Sequence, residues 1–211
     1  MRDLTLILDM SGSMAEVVDD TLGGVNGMLK DQRSQGDDCR FTLVVFAERP
    51  EVIFDHAPLA EIPRIDGNHY QPGGGTALLD AIGETISKKR LKFAKDGGKP
   101  EIVRLAIMTD GQENLSRKFK KDEVTALLKE VEDEGWEIVF AGADLDQVAD
   151  VAAMSGGHTY TTGYTASPAG TRQTLGGMSM YFSTGSVGDL QPKVDEGATP
   201  PESAGEDQSE A

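Results

Sequence analysis

Apolar positions fall along the chain in two alternating patterns. Leu4-Thr5-Leu6-Ile7-Leu8 is a nearly continuous run, the mark of a strand buried on both faces, and it ends in Asp9. Val18, Leu22, Val25 and Leu29 then recur at helical spacing and predict an amphipathic helix. Gly23, Gly24 and Gly27 oppose that helix by up to about 1 kcal/mol each relative to Ala. Phe41 to Phe46 reads as a second strand, and Val52-Ile53-Phe54, after the Arg49-Pro50 break, as an antiparallel edge strand paired back on it. Leu78, Leu79, Ile82 and Ile86 predict a second helix, and Ile102 to Met108 a third buried strand. Val124, Leu127, Leu128 and Val131 make a helix and Trp136 to Ala141 a strand. A short helix at Val148, Val151 and Ala152, a short strand at His158 to Thr161 and a last helix carrying Leu175, Met178 and Phe182 complete the series. Strands that keep alternating with helices predict an α/β fold, a doubly wound and mostly parallel six-stranded sheet covered on both faces.

Charge divides the chain. Of its 211 residues, 36 are acidic and 20 basic, for a net charge of −16. From Asp189 to Ala211 there are seven acids against Lys193 alone, a net of −6, which leaves −10 for residues 1–188. That last stretch also holds Pro192, Pro200 and Pro201 and no aromatic residue. It cannot bury enough apolar surface to offset the entropy of ordering. We therefore expect one domain over 1–187 and a disordered acidic tail over 188–211. No apolar run approaches the roughly 18 residues that span a bilayer, and Arg2 and Asp3 leave no room for a secretory leader before the first strand. Cys39 is the single cysteine, so no intrachain disulfide forms. The expected location is the cytoplasm.

Two buried strands run into aspartates. The first meets Asp9-Met10-Ser11-Gly12-Ser13 and the third Thr109-Asp110-Gly111. In an open doubly wound sheet, ligands bind beyond the carboxyl ends of the strands, where strand order reverses. Between these segments Gly73-Gly74-Gly75-Thr76 opens the second helix. Asp9, Ser11, Ser13, Thr76 and Asp110 thus offer two carboxylates and three hydroxyls, hard oxygen donors suited to Mg²⁺, with Mn²⁺ or Ca²⁺ able to take the same oxygens. Zinc is not suited, with one Cys and with His56, His69 and His158 far apart. Each piece also has an ordinary structural reading. Ser13 with Glu16 forms a capping-box pattern, Thr76 is a common helix cap, and Met14 fits either the rim of the site or the core.

The Asp9–Ser13 motif, the glycine-rich loop before Thr76 and the Thr109-Asp110-Gly111 turn, in that order, resemble the metal-ion-dependent adhesion site (MIDAS) of von Willebrand factor type A (VWA) domains. The resemblance covers about residues 2–160 and is nearest to the short intracellular bacterial or phage type. It implies a Rossmann-like sheet with the first strand central and one antiparallel edge. It implies Ser11 and Ser13 as direct ligands, Thr76 as a ligand directly or through water, and Asp9 and Asp110 acting mainly through coordinated waters. It also implies a Mg²⁺-dependent protein–protein interaction module, without catalysis, that grips a partner's Asp or Glu. A MoxR-type AAA+ ATPase or another assembly factor is the partner class it suggests.

Other function classes find less support. A haloacid-dehalogenase-type phosphatase needs a second Asp where Ser11 stands; a P-loop needs a lysine that Gly73–Thr76 lacks; no nucleophile elbow surrounds Ser11. A metal-dependent hydrolase on the same Mg²⁺ remains an alternative, without a dedicated base. Nucleic-acid binding would rest on Lys88-Lys89-Arg90 with Lys92 and on Arg117-Lys118-Phe119-Lys120-Lys121, which read more simply as solvated helical faces. Asp144 with Gln147 reads as a helix cap, Cys39 as a packed thiol and Trp136 as core.

Overall fold

The computed structural model describes residues 1–36, 38–143, 151 and 159–186. Six strands form one sheet: β1 (Arg2–Asp9), β2 (Cys39–Phe46), β3 (Pro50–Pro58), β4 (Ile102–Thr109), β5 (Glu137–Gly142) and β6 (Tyr160–Gly163). Their order is β3-β2-β1-β4-β5-β6, with every neighbouring pair parallel except β2 and β3. The chain moves outward from β1 through β2 to β3, then returns to lay β4 on the other flank of β1. Strand order therefore reverses between β1 and β4, and Leu8 lies opposite Met108 one residue short of their ends. This is the doubly wound α/β sheet that the alternation of periods predicts.

Burial explains the apolar run of β1, whose residues are all buried. Leu4, Leu6 and Leu8 enter one core layer with Val25, Met28 and Leu29 of α1 (Val18–Ser34) and Leu175, Met178 and Phe182 of the last helix, α4 (Pro168–Thr184). Ile7 enters the opposite layer with Ile82 and Ile86 of α2 (Leu78–Lys95) and Val124, Leu128 and Val131 of α3 (Lys121–Asp133). Each such side chain contributes roughly 1.5–3 kcal/mol by leaving water. Gly24 has a packing reason to be glycine, because a Cβ there would lie 2.5 Å from Leu175 Cδ1.

Several expectations shift. A 3₁₀ turn over Gly12–Val17 precedes α1, and no side-chain hydrogen bond caps it, so the Ser13–Glu16 capping box does not form. Met14 is fully buried and belongs to the core. Trp136 is buried just ahead of β5, and Cys39 is a buried thiol. The edge strand β3 is longer than Val52–Phe54 because its register shifts opposite Thr42, whose hydroxyl accepts the His56 amide at 3.0 Å. The last strand lies at Tyr160–Gly163 instead of His158–Thr161. Arg117–Lys120 is a loop, not part of a helical face, and α3 begins only at Lys121. Of the short helix expected at Val148, Val151 and Ala152, only Val151 is described, and it is helical and buried. The Asp144–Gln147 cap and the acidic tail lie outside the described residues. Among the described residues no helix is long and apolar enough to cross a membrane.

Candidate metal centre

Asp9 closes β1 and is fully buried. Its Oδ1 accepts the Ser11 amide at 2.7 Å and its Oδ2 the Thr109 hydroxyl at 2.5 Å, while the Tyr70 hydroxyl donates to its carbonyl at 2.6 Å. The carboxylate thus ties the ends of two adjacent strands together. The Met10–Ser13 turn is pinned from the other side, Gly12 N–H donating to the Gly74 carbonyl at 3.1 Å and Gly73 N–H to the Met10 carbonyl at 2.9 Å. Gly74 has φ of +73°, which only glycine adopts without strain, so the three-glycine loop can fold against the first one.

These contacts gather the five expected side chains. The Ser11 and Ser13 hydroxyls lie 3.1 Å apart, and Ser13 donates to Asp110 Oδ1 at 2.5 Å. A Cβ built on Gly111 would sit 2.7 Å from Thr76 Oγ1, 3.5 Å from Ser11 Oγ and 3.7 Å from Asp9 Oδ2. The side-chain oxygens of three loops therefore converge on one small space. Ser11 and Thr76 are buried, Asp110 is half-buried and Ser13 is exposed, so one side opens to solvent. Thr76 does not cap α2: the cap position is Ala77, without a side-chain bond. Its backbone is held instead by Asn114, whose Oδ1 accepts the Thr76 amide at 2.9 Å.

Electrostatics favour a cation here. Burial pushes the Asp110 carboxyl above its ordinary value; the Ser13 hydrogen bond opposes this and the nearby Asp9 charge adds to it. Burial, with the Asp110 and Asp9 charges behind it, likewise pushes the Tyr164 phenol up. Among the described residues its buried hydroxyl has no hydrogen-bond partner. Crowded carboxylates and an orphaned hydroxyl, beside three alcohols, form a donor set that fits a hard divalent ion. Among the described residues no three His, Cys, Asp or Glu side chains gather as a metal cage. His56 pairs with Asp3 at the opposite end of β1, and His69 with Asp66.

Several supporting residues carried no legible signal. Asn114 is one. Glu113 accepts the amides of Leu79, Leu115 and Ser116 at 2.8–3.0 Å, and Asp80 accepts those of Arg117, Lys118 and Phe119 at 2.8–2.9 Å. Only the density of polar and turn-forming residues after Thr109 hinted at such a loop. The basic segments are largely neutralised: Lys88 and Lys118 pair with Glu84, Lys89 with Asp3, Arg90 with Glu130 and Glu134, and Lys92 with Asp96.

No family model matches the sequence, and no curated protein shows significant similarity to it. Solved structures do. The chain is similar over 87% of its length to the vWF domain of the type V pili tip protein Mfa5 from Porphyromonas gingivalis, covering 95% of that chain at 12% identity and a TM-score of 0.60. It is similar over 85% to the PilB minor pilin of Streptococcus sanguinis (10% identity, TM-score 0.62) and over 86% to a von Willebrand factor type A protein from Catenulispora acidiphila (15% identity, TM-score 0.58). It spans 60% and 42% of those two chains. The fold is that of a VWA domain.

Proposed function

We propose that the domain is a Mg²⁺-dependent protein–protein interaction module that grips an Asp or Glu side chain of its partner, without catalysing a reaction. The observation that carries this reading is the convergence of Ser11, Ser13, Thr76, Asp9 and Asp110 from three loops onto the space beside Gly111. Ser11, Ser13 and Thr76 would hold the ion, with Asp9 and Asp110 beside them. When bound, the ion supplies an electron-poor coordination point for an external carboxylate and dominates the local field of an otherwise acidic chain. The protein's part is orientation. Asp9 fixes the Ser11 amide and the Thr109 hydroxyl, Asn114 fixes Thr76, and the Gly12–Gly74 bond keeps the first two loops in register. Neutral hydroxyls as the direct donors leave charge on the ion for the partner to satisfy. Partners follow the same chemistry: a MoxR-type AAA+ ATPase or another assembly factor presenting an acidic loop, met in the cytoplasm.

Calorimetric Mg²⁺ titration tests the site, and capture of partners with Mg²⁺ or with EDTA tests its use. We expect wild type to bind Mg²⁺ and Ser11→Ala and Asp110→Ala to bind it about tenfold or more weakly with the fold retained. We expect capture to depend on both metal and Asp9. A wild-type chain that ignores Mg²⁺, or capture indifferent to EDTA and to Asp9→Ala, would overturn the reading.

A further inference from the structure

Across the glycine loop from Ser11 lies a cavity of about 420 Å³ lined by Glu48, Arg49, Asp80, Leu115, Arg117 and Lys118. Two of its wall residues pack against the glycine loop that leads into Thr76. A Cβ on Gly74 would meet Glu48 Cγ at 2.8 Å, and one on Gly75 would meet Leu115 Cδ1 at 2.6 Å. On its other side Gly74 accepts the Gly12 amide, so one ribbon of glycines is shared by the cavity and the centre.

Two of the cavity's charges are already committed. Asp80 is buried and its oxygens accept the amides of Arg117, Lys118 and Phe119. The Lys118 ammonium donates to Glu84 at 2.6 Å. That leaves Arg49, Arg117 and Glu48 as the exposed charged residues of the lining that have no such commitment. Among the described residues neither arginine has an ion-pair partner. Arg117 is carried on a backbone pinned by Asp80, and Arg49 on the turn into β3, so both are presented from held positions. Planar guanidinium groups match carboxylates in a two-point geometry. The net charge of −16 does not prevent this, because salt screens it over about 10 Å at 0.1 M and three cations against two carboxylates line the cavity itself.

We propose that this cavity is a second acidic subsite, in which Arg49 and Arg117 receive another Asp or Glu of the same partner segment whose first acid lies at the metal centre. The inference rests on the proposed function above and narrows the partner to one presenting two acids in close succession. It makes the arginine pair a determinant of specificity, since a partner with a lone acid would engage the metal centre alone.

Fluorescence anisotropy with defined short peptides tests it. One probe carries a single Asp in Gly/Ser; the others add a Glu at each of the nearest positions on either side. Wild type, Arg49→Ala, Arg117→Ala, the double variant and Asp9→Ala are titrated in Mg²⁺ and in EDTA. We expect one two-acid peptide to bind wild type about tenfold tighter than the single-acid peptide in Mg²⁺. The double variant should erase that gain and leave single-acid binding unchanged. No gain at any spacing, or a gain surviving in the double variant, overturns the subsite while the metal reading stands. A gain that needs the arginines but persists in EDTA and in Asp9→Ala overturns both, because the first acid then does not lie at the metal centre. No binding by any peptide overturns both.

Discussion

Gly111 shows how narrow the tolerance at the centre is. It follows Asp110, and its missing side chain leaves the space in which Thr76, Ser11 and Asp9 oxygens meet. A methyl group at 2.7 Å from Thr76 Oγ1 cannot be accommodated without moving the threonine. Overpacking of this kind costs about 1–3 kcal/mol, and here it falls on a proposed donor. For Gly111→Ala we expect only that modest loss of stability in urea, together with at least about tenfold weaker Mg²⁺ binding by calorimetry, since mispositioned ligands cost on that order. Unchanged Mg²⁺ affinity in a folded Gly111→Ala would mean that Thr76 is not a donor. The residue type at each of the five proposed donor positions is read from the sequence. The role of Gly111 is not, because nothing adjacent in sequence says what an absent side chain leaves room for.

At the scale of elements, α2 is the organiser. Its first turn presents Asp80 to the backbone of the loop after β4, Gly83 lets Phe119 pack where a Cβ would lie 2.4 Å from its ring, and Glu84 takes Lys88 and Lys118. Burial pushes the Glu84 carboxyl up, but the Lys118 and Lys88 contacts outweigh it and hold the group below its ordinary value. A carboxylate depressed in the folded state adds stability above its unfolded pKa and loses it as pH falls through the folded one. Glu84→Gln should therefore cost about 0.5–1 kcal/mol at neutral pH, discounted for solvent exposure. The difference should vanish in acid, once pH has fallen through the folded value as well as the unfolded one. Urea unfolding at neutral and at acid pH checks this; an equal cost at both would assign Glu84's effect to packing. Helix α4 carries the plainest local signals: Ser167 caps it by accepting the Gly170 amide at 3.2 Å, Pro168 opens it, and Gly185, at φ of +72°, ends it.

The whole molecule separates its tasks along β1. Asp9 serves the centre at the carboxyl end. Asp3, six residues earlier and so about 20 Å away along an extended strand, is fully buried and pairs with Lys89 and His56. Burial pushes the Lys89 ammonium below its ordinary value while Asp3 opposes the shift. Removing one partner of such a pair strands a charge in the interior and costs about 3–5 kcal/mol. Lys89→Met should lower stability by that amount in urea and leave Mg²⁺ affinity within about twofold, because the strand length separates the two ends. A loss below about 1 kcal/mol would show that the pair is dispensable. Parallel loss of Mg²⁺ binding would show that the two ends of the sheet are coupled.

What the amino-acid order determined by itself is what burial writes locally. The near-continuous apolar runs of β1, β2 and β4 and the helical spacing of α1 to α4 follow from which face of each element meets the core, and they give the α/β architecture and the aspartates at two strand ends. What only the tertiary structure decided is which polar side chains meet. Ser13 and Thr76 satisfy the sequence rules for helix caps, yet Ser13 turns to Asp110 and Thr76 to the space beside Gly111. Arg117 to Lys120 resembles a solvated helical face, yet the amides of Arg117, Lys118 and Phe119 are spent on Asp80. Those outcomes depend on β4 inserting beside β1 and on the glycine loop closing over both, contacts between residues far apart in the chain that no local periodicity encodes.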